Sequence, residues 1–188
     1  MAVAQAIGRV IRDRGALVSV DGIDAAAIVS EARAAVADLP RRRRGGVSVW
    51  DASGIFNDLA VGEANAGAPS ARTLLLLYAA DLAFRLRWEI RPAIAEGRVV
   101  VAAPYVATAV AFGRAAGLRG GWLNDLFRFA PRPDDVRYVD GHEFGARAGF
   151  VEFGCKRLPR GTHGLTLRQL VERTRAHLQA GAKTRARG

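Results

Sequence analysis

The stretch Leu17-Val18-Ser19-Val20-Asp21-Gly22-Ile23-Asp24-Ala25-Ala26-Ala27-Ile28-Val29-Ser30 constrains this chain more than any other. It reads as a buried strand over Leu17 to Val20, a tight turn at Asp21-Gly22, and a helix from about Ala25 to Leu39 with Asp24 as its N-cap. A strand running through a glycine into a helix is where phosphate-binding loops lie. Their pattern is Gly, four residues, then Gly-Lys-Ser/Thr. Counted from Gly22, the second glycine falls on Ala27, the lysine on Ile28 and the Ser/Thr on Val29, with Ser30 one place beyond. The frame fits and the chemistry is missing.

The rest of the chain is consistent with one α/β domain. Its 188 residues suffice for a core, and half of them are hydrophobic, which argues against disorder. Charges interrupt every apolar run before it reaches membrane-spanning length. Arg9, Arg12, Asp13 and Arg14 follow the apolar start instead of preceding it, so no secretory signal is expected and the compartment expected is the cytoplasm. The single cysteine, Cys155, rules out an internal disulfide and a multi-cysteine metal site. A net charge of +10 and a pI near 11.2 invite a nucleic-acid reading. The arginine and alanine bias expected of GC-rich coding explains them better, and an anionic small ligand is equally compatible.

Residues 3 to 14 suit a short amphipathic helix, which makes 1–15 an N-terminal helical extension to a domain over 16–181, with 182–188 a frayed basic tail. Pro40 stops the first long helix before the exposed run Arg41-Arg42-Arg43-Arg44, and Val47 to Trp50 forms a second strand. Asp51 to Ala68 reads as a loop with at most a helical turn near Phe56 to Val61. Pro69-Ser70 opens a long helix that Arg91-Pro92 interrupts. Val99 to Val101 is a strand, with Ala102 to Tyr105 at the carboxyl edge where open α/β sheets place ligands. Helices over Val106 to Gly113 and Trp122 to Phe129, a strand over Val136 to Val139 and a helix over Leu165 to Ala180 follow. Between the last two, the alternation in Phe150-Val151-Glu152-Phe153 suggests a hairpin. Strands alternating with helices imply a parallel sheet in three layers.

Four segments, in order, resemble the thymidylate kinase family of P-loop nucleoside monophosphate kinases. Val18 to Asp24 resembles the strand and first half of the P-loop. Pro69-Ser70-Ala71-Arg72-Thr73-Leu74-Leu75-Leu76-Leu77-Tyr78-Ala79-Ala80-Asp81 is similar to the family's Ser-Pro-Arg-Thr helix. Ile90 to Val101, leading to Tyr105-Val106, resembles the approach to its Asp-Arg-Tyr. Arg128-Phe129-Ala130 with Pro133-Asp134 resembles the approach to its fourth strand. The resemblance implies a three-layer P-loop kinase-like fold, a homodimer, and a nucleoside monophosphate such as dTMP as ligand. It would make Tyr78 the ring stacked on the base, Arg72 a contact to the monophosphate, and Tyr105 part of the same pocket. Asp51 would stand for the acidic residue of the family's Glu-Pro-Gly-Gly loop. Against this, an aromatic at helical spacing among leucines, like Tyr78, also suits a core, and an arginine near a helix start, like Arg72, also suits solvent.

The departures lie on the phosphate side. Ile28 cannot reach a transferring phosphate and Val29 has no hydroxyl for Mg²⁺, while Ala25 and Ala27 replace loop glycines. The Asp-Arg before the tyrosine is Ala103-Pro104, and the arginine after Asp81 is Leu82. The expectation is therefore a thymidylate-kinase-like protein without ATP-dependent phosphoryl transfer, with no cofactor and no metal, acting as a nucleotide-binding or interaction protein. A divergent enzyme acting on a nucleoside monophosphate with replaced phosphate-site chemistry is the alternative, and a basic nucleic-acid-binding module the third reading. His142, Glu143, Cys155 and His163 lack the tight spacing of a zinc site. A Cys155–His163–Asp140 triad is a combination that any chain of this size offers.

Overall fold

A computed structural model describes residues 14–66, 68–140, 149–158 and 164–185. The helix expected over residues 3 to 14 falls almost wholly outside them, as do His142, Glu143 and His163. Four strands, β1 (Ala16–Gly22), β2 (Gly45–Val49), β3 (Val99–Ala103) and β4 (Asp135–Val139), form one parallel sheet in the order β2-β3-β1-β4. The helices are α1 (Ala25–Ala37), α2 (Ile55–Ala66), α3 (Ala71–Arg85), α4 (Arg91–Ala95), α5 (Val106–Ala115), α6 (Gly120–Leu126), α7 (Phe150–Arg157) and α8 (Leu167–Arg185).

The alternation of strand side chains sets the three layers. Ala16, Val18 and Val20 of β1 and Val99, Val101 and Ala103 of β3 pack with Ile28, Ala32 and Ala35 of α1 on one face. Leu17, Val100 and Ala102 face the other way, into a larger core with α3, α5, α7 and α8. Both central strands are buried on both faces, which is why they read as apolar runs.

Five segments differ from expectation. Asp21-Gly22 is strand, not turn: the two residues pair with Tyr138 and Val139 of β4. A Cβ on Gly22 would lie 2.8 Å from the Val139 carbonyl, so the glycine is needed for a close strand approach. Residues 55–66, read as loop with a helical turn near Phe56 to Val61, are helix α2 throughout, and the Asp51 carboxylate caps it from outside by accepting from the amides of Phe56 and Asn57. The interruption expected at Arg91-Pro92 begins earlier, as a π-helical turn, Leu86–Ile90, that joins α3 to α4, and Pro92 sits in the first turn of α4, where its missing N–H costs least. Phe150 to Phe153 is helix rather than hairpin. Residues 150–155 are all buried, Glu152 through its ion pair with Lys156, so no exposed face marks a helical period there. Gly154 lets α7 approach α5, since a Cβ there would lie 2.6 Å from the Phe112 ring. The tail expected to fray from Ala182 continues α8 as far as Arg185.

Candidate functional site

A cleft of about 1220 Å³ opens at the carboxyl edge of the sheet. Its floor is the ends of β1, β2 and β3 at Gly22, Val49 and Ala103; one wall is the first two turns of α1, and the rest includes Trp50, Asp51, Asn57, Pro104, Phe150 and Val151. This is the edge at which a parallel sheet directs its helix N-termini, and with them free amides, toward a ligand.

At the start of α1 two of those amides are already engaged. The link from β1 to α1 is only Ile23 and Asp24, so Ala25, Ala26 and Ala27 form the helix's first turn rather than a wrapping loop. The Asp24 carboxylate accepts from the amides of Ala26 at 2.8 Å and Ala27 at 3.0 Å. Ile28 is buried between α1 and the sheet, Val29 is half-buried in the cleft wall, and Ser30 is exposed to the cleft. A nucleoside triphosphate with Mg²⁺ needs amides free to face phosphate, a lysine and a hydroxyl on the metal. The residues at the start of α1 do not fit it. Among the described residues no group of three or more His, Cys, Asp or Glu side chains is placed to hold a metal.

Of the four residues expected to hold a monophosphate nucleotide, the structure brings only Asp51 to this cleft. Asp51 is in the left-handed region at φ 62° and its carboxylate is taken up by the start of α2; burial, with the Asp81 carboxylate nearby, raises its pKa. Its own amide and that of Ser53 donate to Asp81, which pairs at 3.0 Å with the fully buried Arg85. Arg85 in turn donates to the carbonyls of Ser48 and Pro104, so one buried ion pair ties the ends of β2 and β3 to the 51–53 loop.

Tyr78 is core: it has no exposed surface, its ring lies 4.4 Å from that of Phe150, and its hydroxyl donates to the Tyr105 carbonyl. A ring enclosed in this way has no face for a base in this structure, and the spacing among leucines that suited a core carries the residue. Arg72 is exposed on the outer side of α3, over the Trp122 ring at 5.1 Å. Tyr105 is buried, donates to the Pro131 carbonyl and borders a separate cavity of about 110 Å³. Burial raises the hydroxyl pKa of both tyrosines.

Three residues at this edge of the sheet make contacts that the sequence alone does not show. Asp21, taken for a turn residue, is buried in β1, and its Oδ1 accepts from the amides of Tyr105 and Thr108 and from the Thr108 hydroxyl, which caps α5. Burial raises its pKa, with the Thr108 amide the largest opposing influence. Trp50 packs its indole on Phe56, 4.9 Å between centroids, beside Phe153 and Phe150. Arg33 lines the cleft one helical face along from Ala26, Val29 and Ser30, a spacing visible in the sequence. Cys155 is buried with its thiol pKa pushed up to about 12 by burial, the opposite of an activated nucleophile. Asp140 lies 3.8 Å from Arg175. No described helix is long and apolar enough to cross a membrane.

The chain is similar to thymidylate kinases in sequence and in fold. Over 65 residues it is 45% identical to a probable thymidylate kinase of Thermococcus gammatolerans, which covers 35% of this chain and 31% of that protein. A probable thymidylate kinase of Pyrococcus horikoshii is 44% identical over 65 residues, 35% of this chain and 32% of that one. Probable thymidylate kinase 2 of Saccharolobus solfataricus is 27% identical over 126 residues, 67% of this chain and 59% of that one. The matched segment thus spans about a third of the length of the first two curated relatives. The crystal structure of thymidylate kinase from Ehrlichia chaffeensis superposes with a TM-score of 0.67 at 13% identity, over 91% of this chain and 82% of that one. No protein-family model matches. The fold matches that of this thymidylate kinase structure, and over part of its length the chain is similar in sequence to probable thymidylate kinases.

Proposed function

We propose that this relative of the thymidylate kinases keeps the family's ligand cleft but does not phosphorylate dTMP from ATP, and works as a nucleotide-binding or interaction protein. The ligand we assign to the cleft is a nucleoside monophosphate such as dTMP. One observation carries the reading: the Asp24 carboxylate holds the amides of Ala26 and Ala27 that a triphosphate would need. With Ile28 and Val29 at the lysine and hydroxyl positions, several groups that neutralise phosphate are absent together. Loss of a single preorganised donor commonly adds about 3–4 kcal/mol to a barrier. The apolar part of the cleft, from Val49 and Trp50 to Phe150, suits a ring more than a polyphosphate.

The partner expected from the resemblance is a second copy of the chain. Leu76, Phe84 and Trp88, 50%, 38% and 65% exposed, follow one another along α3 and the π-helical turn. An apolar stripe of this kind supports a helix-to-helix contact. Trp88→Glu should then shift the chain toward monomer in sedimentation.

The reading is tested by titrating the purified protein with dTMP, ATP and Mg-ATP in a calorimeter. Heat from dTMP with none from ATP or Mg-ATP is the expected result. Micromolar Mg-ATP binding, or turnover of dTMP to its diphosphate, would overturn it.

A further inference from the structure

We propose that Ser30 and Arg33 form an anion subsite on the exposed face of α1, which takes over from the engaged helix N-terminus and binds the single phosphate of the ligand. Ala26, Val29, Ser30 and Arg33 all line the cleft, and their spacing of three, four and seven residues puts them on one helical face. Ser30 and Arg33 are both exposed and one turn apart, so a hydroxyl and a guanidinium point from the same stripe toward the same space. Arg33 is the one cation among the described residues that line the cleft. Among the described residues no ion pair holds it, in contrast to Arg85 with Asp81 and Arg137 with Glu31.

The carboxylates nearby do not compete for it. Asp24 is occupied by the two α1 amides, and Asp51 by the amides of Phe56 and Asn57. A planar guanidinium takes phosphate or carboxylate oxygens in pairs, which suits it to one terminal anionic group. One cation and one hydroxyl match a monophosphate and fall short of a triphosphate. The subsite therefore explains how the cleft could prefer a nucleoside monophosphate over both the bare nucleoside and ATP. This rests on the reading of the cleft as a monophosphate nucleotide site.

The test compares dTMP, thymidine and inorganic phosphate on the wild type, Arg33→Gln, Arg33→Lys and Ser30→Ala. Both positions are exposed, and circular dichroism verifies the fold of each variant. A charge-assisted bond implies that the wild type binds dTMP about 10-fold or more tighter than thymidine. Arg33→Gln should bring that ratio close to 1 with thymidine binding unchanged, Arg33→Lys should restore part of it, and Ser30→Ala should lower it less than Arg33→Gln. An unchanged ratio in Arg33→Gln overturns the subsite and leaves the cleft reading intact. If neither dTMP nor thymidine binds, but phosphate raises the melting temperature of the wild type and not of Arg33→Gln, the subsite stands and the dTMP reading falls. Silence from all three probes on the wild type overturns both.

Discussion

Asp21 and Asp24 lie three residues apart at the same edge of the sheet, and each caps a helix. They do so under opposite conditions. Asp24 is partly exposed and caps its own helix, α1, through two neighbouring amides in the open cleft. Asp21 is buried and caps α5, more than eighty residues away in sequence, through two amides and a hydroxyl. The local cap uses up the helix end that would have faced an anion, while the distant cap ties β1 to the layer beneath it. Two identical side chains thus separate the tasks of this edge: one engages amides of the helix end that faces the cleft, and the other holds the edge together.

Removing each cap tests that separation. Asp21→Ala leaves the buried amides of Tyr105 and Thr108 without an acceptor, while the Thr108 hydroxyl keeps the Gly22 carbonyl; each such orphan costs about 1–3 kcal/mol. Chemical denaturation should show a loss of about 3 kcal/mol or more. A loss under 1 kcal/mol would mean that α5 does not depend on β1 for its cap.

The same contrast explains what could be read in advance. The α1 cap was legible because it is local: an Asp before an alanine-rich helix satisfies the amides that follow it. The α5 cap was not, because nothing between Asp21 and Tyr105 records that β1 and β3 are neighbours. Asp21-Gly22 carries turn-forming residues and was assigned to a turn, yet pairing with β4 holds both in the sheet. Helix α2 was missed for a related reason, since its cap, Asp51, lies four residues before the first helical position. The Phe150 to Phe153 alternation points away from a helix because residues 150–155 are all buried and the one charge among them, Glu152, is held by Lys156. For the site, the residue types missing from the phosphate loop were plain in the sequence. The enclosure of Tyr78 depends on α7 closing over it, which lies far along the chain.

Asp24→Ala should cost less, about 1 kcal/mol, as for an ordinary N-cap. It differs from Asp21→Ala in a second way. The freed amides of Ala26 and Ala27 open to the cleft at the positive end of a 13-residue helix, so added phosphate should recover much of the lost stability. The amides freed by Asp21→Ala are buried, and phosphate should return nothing there. Melting curves of both variants at matched ionic strength, with phosphate against chloride, make the comparison. Equal response in the two would erase the distinction between a cap that blocks a site and a cap that builds a core.

The smallest change, Asp21→Asn, alters a slope rather than a fold, because the amide keeps the oxygen that accepts from Tyr105 and Thr108. Burial raises the Asp21 pKa above its ordinary value of 3.8, so the folded state holds the proton more tightly than the unfolded chain. The stabilisation from this group is complete below the unfolded pKa and is lost as pH rises through the folded one. Asn carries no such penalty. The melting temperature of Asp21→Asn minus that of the wild type should therefore rise from acid toward neutral pH and then level off. If the Asp21→Asn difference instead falls with pH, the carboxylate is favoured over the acid, and the three bonds to Oδ1 outweigh burial at this position.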